Sequence, residues 1–129
     1  MSIVIERRYC FEAAHFLPKV PDHHKCKRMH GHNYEVLIAL YGPIDEVGFV
    51  MDFWDLDKIV DPIIKTIDHK LLNDIPGLEN PTAEHIACWF SNKIMNSLPD
   101  VVMLERVTVY ETKNCCATWS NWYDEDTTK

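Results

Sequence analysis

The chain has 129 residues, 47% hydrophobic and 26% charged, which is typical of a single globular domain spanning residues 1–129. Its formal net charge of -7 at pH 7 argues against a nucleic-acid-binding protein, because such proteins carry a basic stripe. Charged residues begin by Glu6, too early for a signal peptide, and no apolar run could span a bilayer. We therefore expect a cytoplasmic protein with no membrane partner.

Five cysteines are compatible with a reducing compartment, because the odd number suggests no disulfide framework. Four of them are interpreted as small apolar residues that fill gaps in the core: Cys10, Cys88, Cys115 and Cys116.

Two strands open the chain. Residues 3–16 and 31–41 alternate between apolar and polar side chains, which predicts strands on either side of a polar loop at 17–29. Gly42 and Pro43 are expected to end the second strand.

Two helices follow. Apolar residues recur at helical spacing from Leu56 to Ile67, with Asp52 as the expected N-cap. Pro62 removes one helical hydrogen bond, so we expect a single kinked helix rather than two pieces. A loop at 68–81 leads to a second helix that begins near Thr82.

Two further strands are expected at 101–111 and 117–122, which gives the order ββααββ. This pattern predicts an α+β fold with a four-stranded antiparallel sheet and both helices on one face. The exposed edges of such a sheet need cover or pairing, so we infer a homo-oligomer.

Three histidines form a candidate metal site. His30 and His32 begin the second strand two residues apart, so both imidazoles point to the same face. His15 ends the first strand, where an antiparallel partner would begin. Three imidazoles with one open position are the ligand set of many catalytic zinc sites. The remaining histidines, His23, His24 and His85, are interpreted as solvated surface residues.

Cys26 precedes His30 by four residues and has two interpretations. It is either a fourth ligand that closes a structural zinc site, or a reactive thiol whose pKa is lowered by neighbouring lysines and a metal. The sequence leaves both open.

Three other segments of the chain carry polar side chains with a candidate function. Asp68 and His69 follow the first helix, either as polar residues at its end or as a carboxylate that orients a general acid–base. Glu111 ends an apolar strand, either as a solvated terminus or as an inward carboxylate that recognises amidine-like N–H groups. Thr82 is expected first to cap a helix, with Glu84 in its first turn.

Charge is unevenly distributed along the chain. Basic residues crowd the segment before His30 and could hold a small anion or form a solvated loop: Lys19, Lys25, Lys27 and Arg28. The C-terminus is acidic, with Asp124, Glu125 and Asp126.

Read together, these residues resemble the 6-pyruvoyl-tetrahydropterin synthase/QueD family. The motifs that carry the resemblance occur in family order along nearly the whole chain: Phe11 to His15, Cys26 to Tyr34, Met51 to Phe53, Asp68 to Asp74, Asn80 to Glu84 and Tyr110 to Thr112.

The resemblance implies the T-fold, in which ββααββ subunits join edge to edge into a barrel, as a trimer or a dimer of trimers. It implies Zn²⁺ bound by the three histidines and Cys26 as the catalytic proton acceptor. Asp68 and His69 would activate Cys26 from a neighbouring subunit. Glu111 would anchor the pterin ring and join the proton relay, while Thr82 would help line the pterin pocket.

The short spacing between Cys26 and His30 resembles the bacterial 6-carboxy-5,6,7,8-tetrahydropterin synthase branch. That branch implies a lyase for queuosine biosynthesis that converts 7,8-dihydroneopterin triphosphate to 6-carboxytetrahydropterin, acetaldehyde and triphosphate. Lys25, Lys27 and Arg28 are candidates for receiving the triphosphate.

Alternatives remain open at this stage. One is formation of 6-pyruvoyl-tetrahydropterin by triphosphate elimination, and another is side-chain cleavage that feeds folate synthesis. A third is a non-catalytic zinc-binding protein. Two departures from the family pattern bear on substrate detail: Glu12 replaces a smaller polar residue of many relatives, and Lys70 follows His69 where many bacterial relatives have a second histidine.

Overall fold

The computed structural model describes residues 2–121. The seven regular elements are, in chain order, β1 Ile3–His15, β2 His30–Gly42, α1 Phe53–Lys65, β3 Lys70–Leu71, α2 Ala83–Met95, β4 Met103–Thr112 and β5 Cys115–Ser120. Short 3₁₀ turns lie at Lys25–Lys27 and Leu72–Asp74. The α+β class and the two helices are confirmed. Residue 122 of the strand expected at 117–122 and the acidic residues Asp124, Glu125 and Asp126 lie outside the described part.

Within the described residues the sheet has five strands in the order β3-β1-β2-β4-β5, rather than the four that we expected. The long strands pair antiparallel, whereas β3 pairs parallel with β1, so the sheet is mixed. The prediction missed β3 because it has two residues, too few to show an alternating pattern. Lys70 and Leu71 pair with Ala13 and Ala14 near the end of β1.

The first two strands pair along their whole length, from Ile3 opposite Gly42 to His15 opposite His30. On the covered face, the rings of Phe11 and Tyr34 stack with their centroids 4.8 Å apart. Each large apolar side chain that is fully buried in this way contributes roughly 1.5–3 kcal/mol. The paired long strands therefore form a well-packed part of the sheet, and the histidines lie at one end of it.

Both helices pack against this same face, as expected. Leu56 and Val60 of α1 join one hydrophobic core with Ile86 and Phe90 of α2. Among residues 2–121, neither helix combines the length and hydropathy needed to cross a membrane.

Helix α1 begins as predicted, because the Asp52 carboxylate accepts a hydrogen bond from the Trp54 N–H at 2.8 Å. The helix continues through Pro62 to Lys65, so the single-helix prediction holds. Ile67, the last residue of the predicted stripe, is fully buried just beyond the helix.

The interpretation of four cysteines as core fillers was wrong for this chain. Each of them is exposed: Cys10, Cys88, Cys115 and Cys116. Cys10 lies opposite Glu35 in the register, on the face of β1 that the helices do not cover. The strand alternation itself places Cys10 on the face opposite Tyr9 and Phe11, so the composition-based interpretation overlooked the parity of the strand.

Candidate functional site

The register of the first two strands brings three histidines together. His15 is paired with His30, and His32 lies opposite Ala13, so all three rings project at one end of the sheet. One potential ligand atom from each ring lies within 4.8 Å of the other two. The predicted convergence of His15, His30 and His32 is therefore a feature of the fold.

Backbone carbonyls orient two of the rings. Nδ1–H of His15 donates to the carbonyl oxygen of Pro81 at 2.8 Å, and Nδ1–H of His30 donates to that of Arg28 at 2.8 Å. Because a carbonyl only accepts, the proton of each neutral ring lies on Nδ1, and Nε2 keeps its lone pair. These two Nε2 atoms face each other 3.0 Å apart.

The third ring supplies an unpartnered nitrogen. Nε2 of His32 is buried and has no hydrogen-bond partner among residues 2–121. Burial is the main cause that lowers the pKa of both His15 and His32, so their rings are neutral near pH 7. Neutral imidazoles that point their lone pairs into one space are suited to a transition-metal cation. The three histidines could therefore hold a metal ion.

Cys26 lies beside this cluster and is not one of its members. Its N–H donates to Nδ1 of His24 at 3.0 Å, and its carbonyl accepts from the Leu17 N–H at 2.8 Å. The half-buried thiol lines a cavity of about 500 Å³ that it shares with His30, His32 and Glu111. The thiol and two of the three histidines thus line the same cavity.

Glu111 occupies a β-bulge. The β4–β5 register shifts between Tyr110 and Thr112, which leaves Glu111 without a partner in β5. Bulges frequently redirect a side chain near a functional site. Oε2 of Glu111 lies 3.5 Å from Nε2 of His32, and the side chain is 27% exposed. The carboxylate thus lies towards the histidine cluster, and its recognition of amidine-like N–H groups stays a prediction.

Asp68 and His69 do not line the cavity that contains Cys26. His69 lines a second cavity of about 580 Å³ together with Glu12, His32 and Lys70, whereas Cys26 lines the first. Within one chain His69 and Cys26 thus line different cavities, and His32 belongs to the walls of both. Asp68 accepts the Glu12 N–H at 2.9 Å and lies 3.0 Å from Nδ1 of His69.

These contacts change the protonation of the pair. The hydrogen bond from the Glu12 amide, and then that from His69, hold the pKa of Asp68 below its usual value. The hydrogen bond to Asp68 raises the pKa of His69 above 6.5. Asp68 and His69 are therefore in contact with each other and, through the Glu12 N–H, with β1, although the His69 side chain is 72% exposed.

Thr82 is the N-cap of α2, because its hydroxyl oxygen accepts from the His85 N–H at 3.1 Å. Glu84 lies in the first turn, as expected. The three remaining histidines are exposed, which confirms their surface assignment: His23, His24 and His85.

The basic segment contains residues with different roles. Nζ of Lys27 donates to the carbonyls of Pro18 and Val20 at 2.8 and 3.2 Å, which engages Lys27 within its own loop. Lys25 is exposed and lines the cavity that contains Cys26. Lys25 is therefore better placed than Lys27 to meet an anionic ligand there.

Three positioning contacts were missed by the sequence reasoning. His24 was assigned only to the surface, although its Nδ1 holds the turn of Cys26. Asn73 accepts from the Phe16 N–H at 3.0 Å and donates to the Phe16 carbonyl at 2.8 Å, directly after His15. The carbonyl of Pro81 orients His15. Asn73 and Pro81 lie within the motifs that carry the family resemblance, and this is the only sequence feature that pointed to them.

Taken together, the fold and the site define an α+β protein with a three-histidine cluster beside a thiol and a carboxylate. The family model described as 6-pyruvoyl tetrahydropterin synthase matches residues 4–121, and the chain belongs to this family of pterin synthases. The motif-based resemblance is thereby confirmed.

Curated relatives carry several names. The chain is 39% identical over 111 residues to a dihydroneopterin monophosphate aldolase of Pyrococcus furiosus, covering 86% of this chain and 91% of that protein. It is 43% identical over 117 residues to a 6-carboxy-5,6,7,8-tetrahydropterin synthase of Synechocystis, covering 84% and 86%.

The solved structure of Caenorhabditis elegans 6-pyruvoyl tetrahydropterin synthase has a TM-score of 0.84 to this chain at 31% identity. The match covers 94% of this chain and 96% of that chain. The subunit fold expected from the resemblance, that of T-fold proteins, is therefore the fold of this chain.

Proposed function

We propose that the chain is a zinc-dependent lyase that converts 7,8-dihydroneopterin triphosphate to 6-carboxy-5,6,7,8-tetrahydropterin, acetaldehyde and triphosphate, a step towards queuosine. The observation that carries the proposal is the cavity in which the Cys26 thiol meets His30, His32 and Glu111. The relative from Synechocystis that is named for this product supports the choice.

Zinc is the proposed metal because the donor set fits it. Nitrogens bound at 2.0–2.1 Å to a tetrahedral zinc lie roughly 3.3 Å apart, and the Nε2 atoms of His15 and His30 are 3.0 Å apart. Three protein ligands leave one coordination position free for substrate. When bound, zinc supplies Lewis-acid polarisation of the side-chain oxygens of the substrate.

The chain's own residues supply proton transfer and positioning. Cys26, as the thiolate, takes a proton from the polarised side chain of the substrate. Glu111 accepts hydrogen bonds from the amidine-like N–H groups of the pterin ring and so fixes the reacting carbons near the cluster. Thr82 contributes to the pterin pocket from the start of α2, and Lys25 contacts the triphosphate.

His69 and Asp68 act on Cys26 from a neighbouring subunit in this proposal. Within one chain His69 and Cys26 line different cavities, which supports an oligomeric site. The two sheet edges, β3 and β5, are available for pairing between copies in a trimer or a dimer of trimers. Barrel closure would bring the two half-sites together.

A second candidate function is side-chain cleavage without formation of the carboxyl group. It is favoured by the 39% identity to the dihydroneopterin monophosphate aldolase of Pyrococcus furiosus. A third is formation of 6-pyruvoyl-tetrahydropterin, the activity named for the similar protein of Caenorhabditis elegans.

Product analysis separates these functions. Zinc-loaded protein is incubated in parallel with dihydroneopterin triphosphate and dihydroneopterin monophosphate, and the products are identified by mass spectrometry. Acetaldehyde with a 6-carboxypterin from the triphosphate supports the main proposal. A 6-pyruvoyl product, or cleavage of the monophosphate alone, assigns the chain to one of the alternatives. No turnover by fully zinc-loaded protein rejects all three enzymatic functions.

Thiol reactivity tests the non-catalytic alternative. An open catalytic site leaves Cys26 accessible to an alkylating reagent with zinc bound, whereas a closed structural site protects it. Because the other four cysteines are exposed, modification has to be read by peptide mapping, with these four as internal controls. Protection of Cys26 that is lost on zinc removal would favour the structural site.

A further inference from the structure

Both ring nitrogens of His69 face carboxylates from different parts of the chain. Nδ1 lies 3.0 Å from Oδ1 of Asp68, and Nε2 lies 3.3 Å from Oε2 of Glu12. A neutral imidazole has one N–H and one lone pair, whereas the imidazolium has two N–H donors. Ionised carboxylates only accept hydrogen bonds. A ring with a carboxylate beside each nitrogen therefore satisfies both of them only when both nitrogens are protonated.

The backbone connects the same three residues. The Glu12 N–H donates to the Asp68 carboxylate at 2.9 Å, and the His69 N–H donates to the Glu12 carbonyl at 2.6 Å. His69 has a φ of 59°, in the left-handed region that non-glycine residues seldom occupy. Such a conformation costs roughly 1–3 kcal/mol and persists only when the surroundings impose it. Glu12 thus helps to impose it through its main chain.

We propose that Glu12 is a positioning residue for His69, and that its side-chain carboxylate keeps the ring doubly protonated and in one orientation. The inference rests on the proposed function, in which His69 acts on the Cys26 thiol of a neighbouring subunit. In this arrangement the Asp68 carboxylate pairs with Nδ1 of His69, and the Glu12 carboxylate pairs with Nε2.

The charge state decides what His69 can do. An imidazolium cannot accept a further proton, so it is not the base in this reaction. It stabilises the Cys26 thiolate by opposite charge, and the thiolate becomes the thiol when it takes the proton from the substrate. The imidazolium can then return a proton as a general acid. Glu12 would therefore favour the thiolate by acting through His69.

The other ionisable groups around this cavity are Lys70 and His32. A Lys70 cation opposes the charge on His69, so the two carboxylates must outweigh it. The pKa of His69 is raised, first by the hydrogen bond and charge of Asp68 and to a smaller extent by the charge of Glu12. A measurable but smaller effect is thus expected from Glu12 than from Asp68.

The test is a titration of His69 by NMR in the zinc-loaded full chain, for the wild type, Glu12→Gln and Asp68→Asn. The His69 signals are assigned by their loss in His69→Ala. We expect the pKa of His69 to fall by a few tenths of a unit in Glu12→Gln and by more in Asp68→Asn. The alkaline limb of the pH–activity profile should move to lower pH by the same amount. Glu46→Gln, an exposed substitution in the loop after β2, is the matched control and should move neither.

An unchanged His69 titration in Glu12→Gln would overturn the inference, as would a shifted titration with an unshifted pH profile. The wild type supplies a check that needs no variant: His69 must titrate above the ordinary histidine pKa of about 6.5, and a pKa at or below that value would overturn the inference too. The NMR readout does not depend on turnover. Absence of any pterin conversion would therefore reject the proposed function while the titration still tests the contact of Glu12 with His69.

Discussion

Nδ1 of His15 donates to the carbonyl of Pro81 across 66 positions of the chain, and Pro81 directly precedes Thr82, the N-cap of α2. The orientation of the most buried candidate ligand is thus coupled to the start of a helix. Outer hydrogen bonds of this kind commonly contribute 10–100-fold to metal affinity. Disturbing the helix start should therefore weaken metal binding without touching a ligand.

Thr82→Ala tests this coupling. Loss of the capping hydroxyl should lower the free energy of unfolding by about 1 kcal/mol and weaken zinc binding several-fold, as measured by urea denaturation and competitive zinc titration. Thr82→Ser keeps the hydroxyl and is the matched control, which should behave as the wild type in both measurements. Equal zinc affinity in all three proteins would show that the helix start does not influence His15.

His24→Ala tests the turn that carries Cys26. Without Nδ1 to accept the Cys26 N–H, the thiol should lose its fixed position, and kcat should fall about tenfold, the factor that corresponds to 1.4 kcal/mol. Zinc content should stay unchanged, because His24 is not in the cluster. The neighbouring exposed residue provides the control: His23→Ala should retain full activity. Equal losses in both variants would argue against a positioning role.

Asp57→Asn tests the link between α1 and β1. Asp57 accepts the Tyr9 hydroxyl at 2.6 Å and the Arg7 guanidinium at 3.1 Å. These hydrogen bonds, with that of Tyr9 first, hold the pKa of Asp57 below its usual value. A carboxyl with a lowered folded pKa adds stability above its unfolded pKa, near 3.9, and this stability is lost as the pH falls through the folded pKa.

We therefore expect Asp57→Asn to lower the free energy of unfolding by about 1 kcal/mol at pH 7, and the difference from the wild type to shrink below about pH 3. Urea denaturation at both pH values measures this. Asp61→Asn, exposed on the same helix, should stay within about 0.5 kcal/mol of the wild type. If the free energy of unfolding of Asp57→Asn were lower than that of the wild type by the same amount at both pH values, the effect would come from packing rather than from charge.

Much of the fold was predictable because its signals are local. The parity of His15, His30 and His32 along two strands follows from the two-residue strand period. The side chains of Asp52 and Thr82 cap helices, as their positions before apolar stripes indicated.

The unpredicted features depend on contacts between distant segments. Strand β3 has two residues and exists because β1 offers it an edge. The contact of Glu12 with His69 spans 57 positions, and nothing in the chain near His69 indicates its positive φ. The redirected side chain of Glu111 depends on a bulge that appears only once β4 pairs with β5. Patterns within one segment carry no information on such contacts.

In the proposed function, three histidines hold the zinc. The Cys26 thiol, which is not a ligand, acts together with the zinc on the side chain of the substrate. The most direct test is acetaldehyde release from dihydroneopterin triphosphate by the wild type and Cys26→Ala at equal zinc content. We expect acetaldehyde in a one-to-one ratio with 6-carboxytetrahydropterin for the wild type, and a rate at least ~100-fold lower for Cys26→Ala with its zinc retained. A wild-type rate from Cys26→Ala, or loss of zinc from that variant, would contradict the proposed function.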